Sequence, residues 1–306
     1  MPYGSSHDKE INVSKKGEHI MNQQIIDIYN ECTNGHVDRR EFLRRITHLG
    51  CGAAAAYVLL AQLEENPAVA EVVPKDDPRL HTEYITYPGA TGDVRASLAR
   101  PKGDKKLPGV IVIHENRGLQ PHIEDVARRV ALEGFLAIAP DALSPLGGTP
   151  KDINEAGSKI RELDREATVK NFVAAVKYLK THPQSTGKVG CIGFCWGGGM
   201  TNQVAVNCQD LTAAVPFYGS QPASEDVPKI KASVLAHYAG LDKRINDGIE
   251  AFEAALKKAS VEYKIYMYEG AGHAFFNDTN ESRYHKEAAE LAWKRTIEFL
   301  NAKLKT

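Results

Sequence analysis

The run Gly193-Phe194-Cys195-Trp196-Gly197-Gly198-Gly199 places a thiol at the centre of a glycine-framed turn. The apolar stretch KVGCIGF at 188–194 reads as a strand and the residues after it as a helix, so the chain must bend sharply at Cys195. Glycines two places to either side of such a bend let the strand and helix backbones approach without Cβ clashes. The helix then aims its unpaired N–H groups and its positive dipole end at the sulfur, which favours the thiolate. A buried structural cysteine in a tight turn is the plainer alternative; it explains the glycines but not the whole strand, GxCxGG and helix arrangement.

A thiol nucleophile needs a base, and the base needs an orienting acid. Tyr238-Ala239-Gly240-Leu241-Asp242 leaves a strand expected over 232–238, and Glu269-Gly270-Ala271-Gly272-His273 leaves another over 263–268. Taken singly, a loop Asp or His is usually a turn or surface residue. In the order Cys, Asp, His, each at a strand's carboxyl end, the three can converge: His273 would move the thiol proton and Asp242 would fix the imidazole tautomer. His182 precedes Pro183 and reads as a helix terminus instead.

His114-Glu115-Asn116-Arg117-Gly118 follows the apolar run GVIVIH. A loop after an early strand can supply one oxyanion-hole N–H and the residue after the nucleophile the other, which assigns these donors to Asn116 and Trp196. Glu115 then lies where a carboxylate could accept the thiol's proton or repel its charge, although a surface loop acid is the ordinary reading. Arg117, Asn277, Tyr238 and Phe275 flank these loops and are the expected substrate contacts.

Short β-branched runs alternating with helical patterns begin near residue 82, the texture of a mostly parallel sheet with helices on both faces. Tyr84–Tyr87 and Val94–Ala99, split by PGATGD, read as an opening hairpin, and 109–114 as a central strand. Further strands are expected at 135–140, 188–194, 213–218, 232–238 and 263–268. Helices are expected at 122–133, about 152–182, 197–206, 248–259 and 284–304. About eight strands with interleaved helices is the α/β-hydrolase pattern, assigned here to residues 78–306.

The 306 residues carry 38 basic and 39 acidic side chains, a balance that calls for neither nucleic acid nor a membrane surface as partner. Five cysteines at 32, 51, 191, 195 and 208 show no CxxC pair and no disulfide framework, and reduced thiols fit a cytoplasmic setting. Residues 1–22 are polar and aperiodic, a leader excluded from the fold. The extension 23–77 suggests two helices, at 23–32 and 38–63, and a linker. Arg39-Arg40-Glu41-Phe42-Leu43, with Ala68-Val69-Ala70 downstream, is similar to a twin-arginine export signal; the alternative is a basic amphipathic helix that packs on the domain or pairs two copies in a homodimer. Its apolar run is shorter than the about 20 residues of a membrane span.

The motifs HENRG, APD at 139–141, GFCWGGG, GLD at 240–242 and GHAFFND at 272–278 together resemble the dienelactone hydrolase family over about 78–303. The resemblance implies hydrolysis of a cyclic enol-ester lactone by Cys195, Asp242 and His273 without metal or organic cofactor. It also implies that Glu115 interacts with the resting thiol and helps generate thiolate when substrate binds. The chain departs from the family at Asn277, where an arginine for the substrate carboxylate is expected, and Arg117, Arg161, Arg165 and Arg283 are the available substitutes. The N-terminal helices are a second departure. Two other functions use the same thiol: an acyltransferase, in which an alcohol or amine intercepts the acyl-enzyme, and a non-catalytic thiol sensor, which would not need Asp242 or His273.

Overall fold

A computed structural model describes residues 28, 39–49 and 71–305, in a chain that divides into two compact units, Met1–Pro67 and Ala68–Thr306. In the first unit, helix α1 (Arg39–His48) carries its own ion pairs, with Arg44 Nε 2.6 Å and Arg45 Nε 2.8 Å from the Glu41 carboxylate. The leader, the helix expected at 23–32 apart from Ile28, the rest of the 38–63 helix and the Ala68-Val69-Ala70 position lie outside the described residues.

The second unit is built on one eight-stranded sheet in the order β1-β2-β4-β3-β5-β6-β7-β8. Strands β1 (Leu80–Gly89) and β2 (Gly92–Pro101) form the antiparallel hairpin, and β2 also runs antiparallel to β4 (Leu136–Pro140). From β4 onward every neighbouring pair is parallel: β3 (Leu107–Ile113), β5 (Ser185–Phe194), β6 (Ala213–Phe217), β7 (Ser233–Ala239) and β8 (Tyr263–Tyr268). Parallel strands joined by helical crossovers must be covered on both faces, which is why Val110, Ile111, Val112 and Ile113 are all fully buried. Each such side chain contributes about 1.5–3 kcal/mol by leaving water.

Helices α2 (Pro121–Leu132), α3 (Ile153–Glu162), α4 (Arg165–Thr181), α5 (Trp196–Asn207), α6 (Lys243–Asn246), α7 (Ile249–Lys258) and α8 (Lys286–Leu304) complete the unit. Residues 152–182 read as one long helical region, but they form two helices. The break comes at Leu163-Asp164, where the Asp164 carboxylate accepts the Ala167 N–H at 2.7 Å and starts α4 as a fresh N-cap. Among the described residues no helix is long and apolar enough to cross a membrane.

Two buried clusters sandwich the sheet. One joins Ile111 and Ile113 to Phe172, Val176 and Leu179 of α4, and the other joins Val110 and Val112 to Val126 and Val130 of α2 and Leu300 of α8. The carboxyl ends of the parallel strands therefore emerge together at one rim, where open α/β sheets bind ligands.

Candidate active site

Cys195 closes β5 and opens α5 with φ 54° and ψ −117°, a conformation costing a non-glycine residue about 1–3 kcal/mol. Close packing compels it. A Cβ on Gly193 would overlap the Gly197 backbone and the Thr201 hydroxyl, and a Cβ on Gly197 would overlap the carbonyls of Ile113 and His114. The bend is thereby wedged against the end of β3, and only the thiol is left projecting.

His273 Nε2 lies 3.0 Å from Cys195 Sγ, and His273 Nδ1 is hydrogen-bonded to Asp242 Oδ2. Burial alone would lower the imidazole's pKa. The charge on Cys195 and the bond to Asp242 outweigh it and raise the value to about 10, so the imidazolium is favoured in the resting site. Asp242 itself is held at a sharp turn, its N–H bonded to Ala239 O at 3.1 Å and Leu241 N–H to Ala271 O at 3.0 Å. The loops that carry Asp242 and His273 are thus joined directly.

Glu115 lies in the loop that follows β3. Its Oε2 accepts from Asn277 Nδ2 at 2.9 Å, while its Oε1 is buried with no hydrogen-bond partner. Asn277 Oδ1 accepts from the N–H and hydroxyl of Thr279, at 3.1 and 2.6 Å, which fixes the amide with its NH2 toward the glutamate. The next residue anchors the loop to α2: Asp278 lies 2.7 Å from Arg129 Nη2 and 3.1 Å from His122 Nδ1.

The family model for the dienelactone hydrolase family matches residues 94–304. The chain belongs to the dienelactone hydrolase family. It is 34% identical to a Saccharolobus solfataricus protein named "Putative carboxymethylenebutenolidase", over 71% of this chain and 96% of the other. An Escherichia coli O157:H7 protein of the same name is 33% identical, over 76% of this chain and 92% of the other. A crystal structure titled as a putative dienelactone hydrolase from Klebsiella pneumoniae superposes with a TM-score of 0.65 at 29% identity, covering 72% of this chain and 97% of that one. The chain is therefore a hydrolase with the α/β-hydrolase fold.

Within this dienelactone hydrolase family member the four expected substrate contacts divide. Asn277 stands beside Glu115, as above. Arg117 donates from Nη1 to Ile153 O at 3.2 Å, a tether to the head of α3. Tyr238 and Phe275 correct the expectation, because neither has surface to offer a substrate. Tyr238 is fully buried in a small cluster with Ala236 and Ile245, and Phe275 is fully buried with its ring 5.3 Å from that of Tyr218 and 5.1 Å from that of Tyr268. Tyr238 packs against Ile245 of α6, and the loop that presents His273 folds its own phenylalanine inward.

Three residues here were not singled out from sequence. Tyr218, directly after β6, has φ 37° and a ring 5.1 Å from His273, and its buried hydroxyl has no hydrogen-bond partner. Burial, and then the charges of Glu115 and Cys195, raise its pKa well above 10, so it stays protonated. Its signal in the sequence is its place at a strand's carboxyl end followed by Gly219. Asp141, from the APD segment, accepts from Thr149 N at 2.8 Å and Thr149 Oγ1 at 2.7 Å, and Thr149 in turn accepts from Leu119 N, which ties the loop after β4 to the loop after β3. His114 is taken up below.

Proposed function

We propose that this chain hydrolyses a carboxylic ester or lactone through an acyl-thioenzyme formed on Cys195. The observation that carries the proposal is the connected line from Cys195 Sγ through the His273 ring to the Asp242 carboxylate. In the first half-reaction the sulfur attacks the carbonyl carbon and the carbonyl π pair moves onto oxygen. When that pair returns, the C–O bond breaks, and His273 protonates the departing alkoxide. Water then attacks the thioester with His273 taking its proton, and the sulfur leaves as thiolate. Asp242 keeps the imidazole oriented throughout and stabilises its charge. The backbone N–H groups of Asn116 and Trp196 receive the oxyanion in this scheme.

The unpartnered Glu115 Oε1 supports a polar substrate, since buried polar atoms without partners are costly unless a ligand pairs with them. Among the four arginines considered as substitutes, Arg283 is the one whose charge acts on the Tyr218 hydroxyl, so an acidic substrate such as a dienelactone would meet it there. Pairing of two copies through the N-terminal helices, and a cytoplasmic or exported location, remain parts of this proposal that N-terminal sequencing and sedimentation of native protein address.

The test is a panel of lactones and short-chain activated esters offered to the wild type and to Cys195→Ala. The wild type should show a burst equal to the enzyme concentration with at least one activated ester, and the variant should lose turnover by about 10³-fold or more. Full hydrolytic rate in Cys195→Ala would overturn the assignment. Product partitioning with added alcohol or amine separates hydrolysis from acyl transfer.

A further inference from the structure

His114 is completely buried at the end of β3, and each of its ring surfaces is used. Nδ1 lies 2.6 Å from Glu115 O, Nε2 lies 3.2 Å from Ala142 N, and the ring stacks on the Trp196 indole at 5.4 Å with 12° between planes. An amide nitrogen can only donate, so Nε2 accepts and the proton sits on Nδ1, which donates to the Glu115 carbonyl. Burial lowers the His114 pKa and keeps this neutral form.

One ring thus holds three loops, those after β3, β4 and β5. The consequence for chemistry lies in the peptide between Glu115 and Asn116. In a trans peptide the carbonyl and the following N–H point in opposite directions. A carbonyl drawn onto His114 Nδ1–H therefore turns the Asn116 N–H away from the His114 ring. The same ring packs on the side chain of Trp196, the other residue whose N–H serves the oxyanion in the proposed reaction, and the His114 carbonyl lies against Gly197 of the elbow.

We infer that His114 is the positioning residue of the oxyanion hole, fixing the Asn116 and Trp196 N–H groups with one buried neutral imidazole. The inference rests on the proposed acyl-thioenzyme mechanism. It predicts that loss of His114 damages steps that place negative charge on a carbonyl oxygen and spares steps that need only the thiolate.

Two probes separate these. A short-chain alkyl trifluoromethyl ketone adds to Cys195: the S–C bond forms, the carbonyl π pair moves to oxygen, and the oxyanion so produced needs the hole. Iodoacetamide alkylates the same sulfur by displacing iodide and forms no oxyanion. His114→Phe keeps a ring against Trp196 but removes both hydrogen bonds. It should weaken the ketone adduct by roughly 10- to 100-fold, a misaimed donor being worth less than the 10² to 10³ of a deleted one. Its alkylation rate should stay within about twofold, because the Cys195–His273 pair is untouched. His114→Asn, which returns an N–H donor near the Nδ1 position, should recover at least about half of the lost affinity on a logarithmic scale.

Ketone affinity unchanged in His114→Phe, or affinity and alkylation falling in step, would overturn the inference. Should His114→Phe fail to fold, His114→Gln is read by the same two probes and the same criteria. If the wild type formed the ketone adduct yet turned over none of the esters or lactones, the hydrolytic assignment would fail while the His114 comparison still stood; a wild type that formed no adduct would remove both.

Discussion

Two buried histidines sit one strand apart and their pKa values move in opposite directions. His237, in β7, bonds only to neutral hydroxyls, Tyr268 at 2.9 Å and Thr296 at 3.0 Å, and burial followed by the charge of Arg295 lowers its pKa to about 3. His273, after β8, faces Cys195 and Asp242, and its pKa is raised to about 10. Residue type and burial are alike, so the partners decide: hydroxyls leave the cost of burying an imidazolium unmet, and two acidic groups more than offset it. One environment yields a structural crosslink, the other the proton carrier of the proposed reaction.

The largest expected effect comes from removing the charge that distinguishes the two. Asp242→Asn should drop kcat by about 10³- to 10⁴-fold, because the amide orients the imidazole poorly and cannot stabilise the imidazolium. NMR titration of His273 should show its pKa falling from about 10. Retention of the high value together with normal kcat would show that Cys195 alone sets it.

A second effect appears in stability against pH. His237 is neutral when folded and takes up a proton below about 6.5 when unfolded, so its contribution is complete above that pH and is lost as pH falls toward 3. The slope approaches about 1.4 kcal/mol per pH unit. His273 has the reverse sign: its contribution is present below about 6.5 and is lost as pH rises toward 10. Urea midpoints from pH 4.5 to 9 should show both limbs. His237→Gln should flatten the acid limb and Asp242→Asn the alkaline one; acid slopes identical in wild type and His237→Gln would rule out the role given to His237.

The smallest effects concern the loop that carries His273. Asn277→Ala removes the side-chain hydrogen bond to Glu115 Oε2, and kcat/KM should fall by about 10-fold with thermal stability nearly unchanged. Asp278→Asn cuts the anchor to Arg129 and His122, and should cost about 2 kcal/mol in denaturant unfolding with a smaller change in rate. Equal losses on both measures for both variants would mean that the loop responds as one unit.

The elbow was legible because its cause is local. Gly193, Cys195 and Gly197 lie within five residues, and the crowding that requires Gly193 comes from Gly197 and Thr201 of the same strand-to-helix turn. Asp242 and His273 were legible through strand order, since loops at the carboxyl ends of neighbouring parallel strands must share a rim. Tyr238 and Phe275 lie on or beside the same strands and were misread. In a sheet covered on both faces an apolar run gives no alternation to show which way a side chain points. Tyr218, Asp141 and the Asp278 anchor escaped for a different reason: each acts through partners distant in the chain.

The sequence by itself determined the fold class, the strand that ends at Cys195 and the placing of Asp242 and His273 after later strands, because these follow from hydrophobic period, glycine placement and the right-handed connectivity of parallel strands. Only the tertiary structure decided the protonation of the histidines, the pairing of Glu115 with Asn277 and the hold of His114 on its three loops. Those depend on which charges and hydroxyls meet across the rim, and such meetings are fixed by packing between elements far apart in sequence.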